Sequence, residues 1–199
     1  MKTKMLPKLG AFALSLALPA MSWAAPYGLD PDHTQVGFKV KHMVVTDVRG
    51  SFKAYAGTID IDDQDVTKSK VNIEIDAASV TTGVEKRDGH LKSPDFFDVA
   101  KFPKLTFKST KVKSAGTGKL EVTGDLTIRG VTKSVVLQVE GPTAPVKNPW
   151  GVPVRVASAT TKINRKDFGL VWNKPIETGG LLVGDEVTIE ITAELNPAK

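Results

Sequence analysis

Three histidines are the first groups in this chain able to move a proton or hold a metal: His33, His42 and His90. Their separations fit neither an HxH pair nor the HExxH helix motif, so a shared ion would need convergence through the fold, and no metal site is expected. The chain has no cysteine, which excludes disulfides, thiol catalysis and Cys-based metal centres. Arg87-Asp88-Gly89-His90 gathers three polar side chains on what reads as a short helix. They suit either a helix-surface ion pair or a ligand contact.

Other apparent motifs fail on context. Asp167-Phe168-Gly169 spells a kinase triplet, but the chain lacks the Gly-rich and HRD-type loops that would accompany it. Gly116-Thr117-Gly118-Lys119 is followed by Leu120 rather than Ser or Thr and sits between two strand patterns, so it is not a phosphate loop. There is no Gly-x-Ser-x-Gly elbow. Asp60, Asp62, Asp63 and Asp65 lack calcium-loop spacing and read as a turn. No catalytic residue is assigned.

What must position these groups is a set of alternating strands. Val36, Phe38, Val40 and His42 share one face, with small or charged residues between them. The segments Val71–Asp76 and Val187–Thr192 alternate in the same way. Because successive strand side chains point to opposite faces, each segment has one apolar and one wet face. Eight such segments are expected, over 34–43, 48–62, 70–76, 104–112, 118–128, 132–140, 154–163 and 186–195, with turn residues between them. Phe52 and Ile59 have opposite parity, which a bend near Gly57 would reconcile. Residues 85–92 read as a helix inserted between the third and fourth strands. Ser93-Pro94-Asp95 reads as the start of another helical turn. The insertion either closes one mouth of a barrel or packs outside it.

Residues 1–24 stand apart. Lys2, Lys4 and Lys8, the apolar run from Leu9 to Ala20 and Ser22-Trp23-Ala24 form a three-part secretory signal, with cleavage expected between Ala24 and Ala25 and export to a bacterial periplasm. Residues 25–199 then form one domain. Removing three Lys and no acids lowers the formal net charge from +5 to +2, too little for a nucleic-acid footprint. No later stretch is apolar enough to span a bilayer as a helix. Oligomeric state is left open.

Trp150 lies in a turn, while Phe168 and Trp172 flank Gly169-Leu170-Val171. These three aromatics would cap the core or line a pocket mouth. His42, on an apolar wall, would make a structural hydrogen bond or meet a ligand headgroup.

In order along the chain, several segments match a known pattern. They are Leu29-Asp30-Pro31-Asp32-His33-Thr34-Gln35-Val36-Gly37-Phe38, Val40-Lys41-His42-Met43, Gly50-Ser51-Phe52 with Gly57, Arg87 to Phe97, Lys101 to Phe107, Gly124 to Lys133, and Arg165-Lys166-Asp167-Phe168-Gly169. Together they resemble the YceI-like family of periplasmic, lipocalin-like polyisoprenoid-binding proteins. The resemblance implies an eight-stranded antiparallel barrel with a long internal cavity. It also implies an isoprenoid-type ligand, such as a quinone tail or a polyprenyl phosphate, and no cofactor. An eight-stranded barrel is either filled or hollow; the resemblance selects hollow.

The expectation is therefore an all-β, lipocalin-like carrier of a long-chain amphiphile. Its lining would begin with Val36, Phe38, Val40, His42 and Phe52. Ile73, Ile75, Phe107, Leu126 and Ile128 would continue it, and Val187, Ile189 and Ile191 would complete it. His42, Arg87 and His90 are the headgroup candidates. The alternatives are a lipid-modifying enzyme using His42 or His90, and a stress-related interaction or chaperone protein.

Overall fold

The computed structural model describes residues 25–177 and 179–198; the signal-like segment lies outside them. Twelve strands occur: β1 Ala25–Leu29, β2 Gln35–His42, β3 Thr46–Phe52, β4 Tyr55–Ile61, β5 Lys70–Asp76, β6 Val80–Thr81, β7 Lys104–Gly116, β8 Lys119–Ile128, β9 Val131–Glu140, β10 Val146–Lys147, β11 Pro153–Asn164 and β12 Val183–Pro197. One helix, α1 (Glu85–Lys92), lies between β6 and β7.

The twelve occupy eight positions around a ring. β1 and β2 both pair with β12, so they form one position interrupted at residues 30–34. β3 and β4 pair with β2 and β1 respectively, and form the second. β5 and β6 pair with β4 and β3, and form the third. β7, β8 and β9 follow as antiparallel neighbours. β9 pairs with β11 at three positions. β11 pairs with β12 at ten, from Arg155↔Leu195 to Asn164↔Glu186, which closes the ring. β10 is a short flap on β11. The fold is thus a closed antiparallel barrel of eight strand positions with α1 inserted after the third.

One detail differs from the expected pattern. The chain changes parity at Lys53–Ala54, between β3 and β4, rather than at Gly57. That break turns both Phe52 and Ile59 inward. Gly57 instead permits a close approach of β4 to β5, because a Cβ there would lie 2.1 Å from the Asn72 carbonyl oxygen. Ser93 begins the expected next turn, its carbonyl accepting from the Phe96 N–H at 3.0 Å and its hydroxyl from the Asp95 N–H at 3.3 Å. It also ends α1, with its N–H and hydroxyl both donating to the His90 carbonyl, at 3.1 and 2.8 Å.

Aromatic rings fill part of the interior by lying over glycine. A Cβ on Gly50 would lie 2.3 Å from the Phe38 ring, and one on Gly124 would lie 2.4 Å from the Phe107 ring. The inner face of β11 is lined by small side chains, Ala157, Ala159 and Thr161, between two buried arginines, Arg155 and Arg165. Small residues on one wall leave the barrel centre unfilled, whereas larger ones would interdigitate with the facing strands.

Each arginine closes one end. At the β1 end, Arg155 Nη2 donates to both Asp63 carboxylate oxygens at 2.7 Å, and Nε donates to the Tyr27 hydroxyl at 3.0 Å. Burial works against this guanidinium's charge, but the Tyr27 and Asp63 hydrogen bonds outweigh it and raise the pKa. Tyr27, Ile61, Ala193 and Leu195 pack into a small core here. At the α1 end, Arg165 supports the opposite closure.

Candidate functional site

Between the two closures lies a cavity of about 410 Å³. Arg155 on β11 and Arg165, which directly follows that strand, are ten residues apart, which sets the distance between the closures at roughly 33 Å for an extended strand. The walls are predominantly apolar. From β2 come Val36, Phe38, Val40 and His42, and from β3 comes Phe52. β5 gives Ile73 and Ile75, and β7 and β8 give Phe107, Leu126 and Ile128. Val187, Ile189 and Ile191 come from β12. The residues selected by alternation therefore share one cavity. Arg87, His90, Phe168 and Trp172 line it too. Trp150 does not: it is 82% exposed at the tip between β10 and β11. Its turn projects past the strand ends, so it is no mouth aromatic.

Charge in the lining is one-sided, while the neutral hydroxyls of Thr34, Ser69 and Ser158 lie along the rest of it. Lys41, His42, Thr82, Arg87, His90 and Arg165 all come from elements at the α1 end. No Asp or Glu lines the cavity among the described residues. This end is shaped by the inserted segment, as the first of the two alternatives for α1 required. Phe52 contacts Phe38 and Phe97, with ring centroids 5.9 and 5.6 Å apart. The His90 ring meets Trp172 and Phe96 edge-on, at 4.7 and 5.0 Å. Its Nε2 lies 2.8 Å from an Asp95 oxygen. His90 is thus held between two aromatic rings and a carboxylate.

Arg87 and Asp88 do not form an ion pair with each other among the described residues. Arg87 Nε donates to the Thr82 hydroxyl at 2.7 Å and Nη2 to the Thr82 carbonyl at 3.2 Å. Nη1 has no protein partner among the described residues. Asp88 accepts from Thr81 Oγ1, Thr82 N and Thr82 Oγ1, at 2.8, 2.7 and 2.5 Å. Burial would raise its pKa, but these donors, with Arg87 nearby, hold it below the usual carboxylate value. The stabilisation is complete above about pH 5, where Asp88 is ionised in either state, and is lost as pH falls through the lower folded value. Hydrogen exchange should show α1 amides losing protection below about pH 4. Asp88→Asn should flatten that pH response; an unchanged response would mean other carboxylates anchor α1.

Sequence reasoning does not single out Arg165, which is 4% exposed. Nε donates to the Gly184 carbonyl at 2.9 Å, Nη1 to those of Leu170 and Trp172, and Nη2 to that of Val183 and to Asp185 Oδ1. Burial lowers its pKa against the pull of Asp185, yet a guanidinium stays charged in water-accessible pH ranges. Arg129 adds a second tie by donating to the carbonyls of Gly169 and Pro94. The Arg165–Phe168 turn ends at Gly169 with φ 77°, a conformation that favours glycine. The triplet Asp167-Phe168-Gly169 is therefore a turn that buries Phe168.

His33 lies elsewhere, on the β1–β2 connection. Its Nδ1 is 3.0 Å from Asp30 Oδ1 and 3.8 Å from Glu194 Oε1. These three groups cluster closely enough to resemble metal ligands. Asp30 Oδ1, however, already accepts from the N–H groups of Asp32 and His33, and Asp30 Oδ2 from Asn196. The cluster reads as a turn lock.

The YceI-like domain matches residues 27–195. A UPF0312 protein of Vibrio parahaemolyticus is 37% identical over 180 residues, covering 89% of this chain and 93% of the relative. The crystal structure of the Campylobacter jejuni YceI protein is 35% identical, covers 86% of this chain and 97% of that one, and superposes with a TM-score of 0.69. A domain of Saccharophagus degradans described as polyisoprenoid-binding shares the fold at 16% identity and a TM-score of 0.62, over 86% of this chain and 98% of that one.

Proposed function

The chain belongs to the YceI-like family, and from that premise we propose that it binds and carries a long-chain isoprenoid amphiphile inside the barrel. One observation carries this reading: the cavity is predominantly apolar along its walls and has its cationic lining gathered at one end, with no carboxylate among the described residues. An apolar tail gains about 0.8 kcal/mol per buried methylene, so it needs no local motif. The headgroup belongs at the α1 end. Arg87, with an unpartnered Nη1, and His42 and His90 suit an acceptor-rich group. A phosphate fits the Arg87 guanidinium better than a quinone does, since a guanidinium binds phosphate by charge-assisted hydrogen bonds.

The relative described as polyisoprenoid-binding supports the tail class. The signal-like segment 1–24 supports a periplasmic site of action, which the intact mass of the exported protein tests. The described residues contain no helix long and apolar enough to cross a membrane. We read no catalytic role: His90 has a carboxylate partner, but the other neighbours of its ring are Phe96 and Trp172 rather than a nucleophile.

Mass spectrometry of an organic extract of the natively purified protein tests carriage directly. The expected result is a long-chain isoprenoid; an extract free of long-chain lipid would overturn the reading. Arg87→Gln tests the headgroup. It should weaken octaprenyl phosphate by about tenfold, or 1.4 kcal/mol, and ubiquinone by less. Equal losses would assign the site to a neutral headgroup.

A further inference from the structure

The turn joining β2 to β3 breaks two local rules together. Met43 and Val44 adopt positive φ, 52° and 66°, a region that is costly for side chains with a Cβ and rare for a β-branched one. The reversal is closed by the Val45 N–H donating to the His42 carbonyl at 3.3 Å. Asn-Gly is the usual sequence at such a turn. Here the turn also presents three consecutive apolar side chains to solvent, with Val44 69% and Val45 74% exposed. Neither local conformation nor solubility favours this choice, and such double conflicts tend to mark functional positions.

A second hairpin stands beside it. Met43 N–H donates to the Leu182 carbonyl at 2.9 Å, and Leu182 N–H donates to the Lys174 carbonyl at 2.8 Å. Leu181 on this hairpin is exposed. Both hairpins rise from the cavity's polar end, since Lys41, His42, Leu182 and Val183 line the cavity just below them. The nearby charges are largely matched: Lys41 pairs with Asp47 at 2.9 Å and Lys166 with Asp185 at 2.8 Å. An apolar tip on a near-neutral rim suits insertion rather than charge attraction. It is also narrow and convex, unlike the roughly 800 Å² per partner of a stable protein interface. An apolar element of this kind can enter the headgroup–acyl boundary of a bilayer by about 5–10 Å.

We propose that Met43, Val44, Val45 and Leu181 form the contact by which the barrel docks on a phospholipid bilayer, with its polar mouth facing the lipid. The purpose of docking rests on the carriage reading; the contact itself rests on the tip. A second apolar group, Val146, Trp150 and Val152, is exposed at the opposite, Arg155-closed end, and serves as an internal control.

The absence of cysteine allows single labels. An environment-sensitive fluorophore on Val44→Cys should shift to the blue with vesicles of phosphatidylethanolamine and phosphatidylglycerol, while one on Trp150→Cys should not. The double variant Val44→Asp, Val45→Asp should partition to these vesicles at least tenfold less. It should bind farnesyl phosphate in solution within twofold of wild type. No shift at position 44, or an equal shift at 150, overturns the proposal. So does a position-44 shift that needs no vesicles and follows dimerisation in sedimentation, which would make a second copy the occupant. Intact docking by a protein that binds no isoprenoid would leave this contact standing and remove the carriage reading alone.

Discussion

Val40→Phe should fold and lose its longest ligand first. Val40 lines the cavity and sits in register with Val48 on β3 and Val187 on β12. A phenyl ring here projects into unfilled space, so the cost to stability should stay at or below about 1 kcal/mol, the low end for added volume. The same ring narrows the passage toward the polar end of β2, two residues before His42. A chain that must pass this point loses wall contact on both sides of the obstruction. A short tail places fewer methylenes beyond the obstruction and so has less burial to lose. The expected outcome is at least a tenfold loss for octaprenyl phosphate, about 1.4 kcal/mol, and less than threefold for farnesyl phosphate. Titrating both ligands against a variant with native circular dichroism checks this. Wild-type affinities for both chains in the folded variant would place the tail outside the barrel.

That the variant can be chosen at all reflects how much of the wall is legible in the sequence. Alternation is a strong signal wherever one strand face is apolar and the other wet, as in β2, β5 and β12. It locates the eight ring positions and their inner faces. It misses β1, because Ala25-Pro26-Tyr27-Gly28-Leu29 contains residues disfavoured in strands. β1 forms because β4 and β12 offer partners on both sides, a tertiary fact with no local trace. Opposite parity at Phe52 and Ile59 signals a break between them but not its place. Gly57 draws attention as a glycine within a strand pattern, whereas two ordinary residues, Lys53 and Ala54, make the break. Trp150 shows the converse error. An aromatic beside a turn suggests a pocket rim, and sequence does not say whether a hairpin folds over the barrel end or projects from it.

The buried arginines are the larger omission, although their signal is present. The inward positions of β11 run Arg155, Ala157, Ala159, Thr161, Ile163; one further step of two reaches Arg165. An arginine on the inner parity of a strand must be exposed at an end or fully satisfied. Weighing charged residues by parity, rather than by proximity to a motif, singles out both.

Arg165→Met should be the most destabilising single change at the mouth. Its guanidinium donates to four backbone carbonyls, those of Gly184, Leu170, Trp172 and Val183, and pairs with Asp185. Methionine keeps much of the aliphatic stem but none of the donors. Carbonyls left buried without a partner cost about 1–3 kcal/mol each, so losing this donor set should cost about 3–5 kcal/mol; Asp185 is 36% exposed and keeps Lys166, so its charge adds little. Urea unfolding should show the midpoint falling with little change in slope. A loss below about 1 kcal/mol would mean that water replaces the guanidinium, and that the closure is not built on it. Arg165→Lys retains charge but cannot reproduce the planar fork, so it should be intermediate in stability and still folded. The acceptors sit on the segment carrying Trp172 and on the start of β12, whose Val183 pairs with His42. Loosening Arg165 therefore loosens the aromatic gate and the polar lining together. In Arg165→Lys the bound isoprenoid should leave several-fold faster, as read by its transfer to acceptor vesicles; an unchanged exit rate in the folded variant would mean that this closure is not the barrier to release.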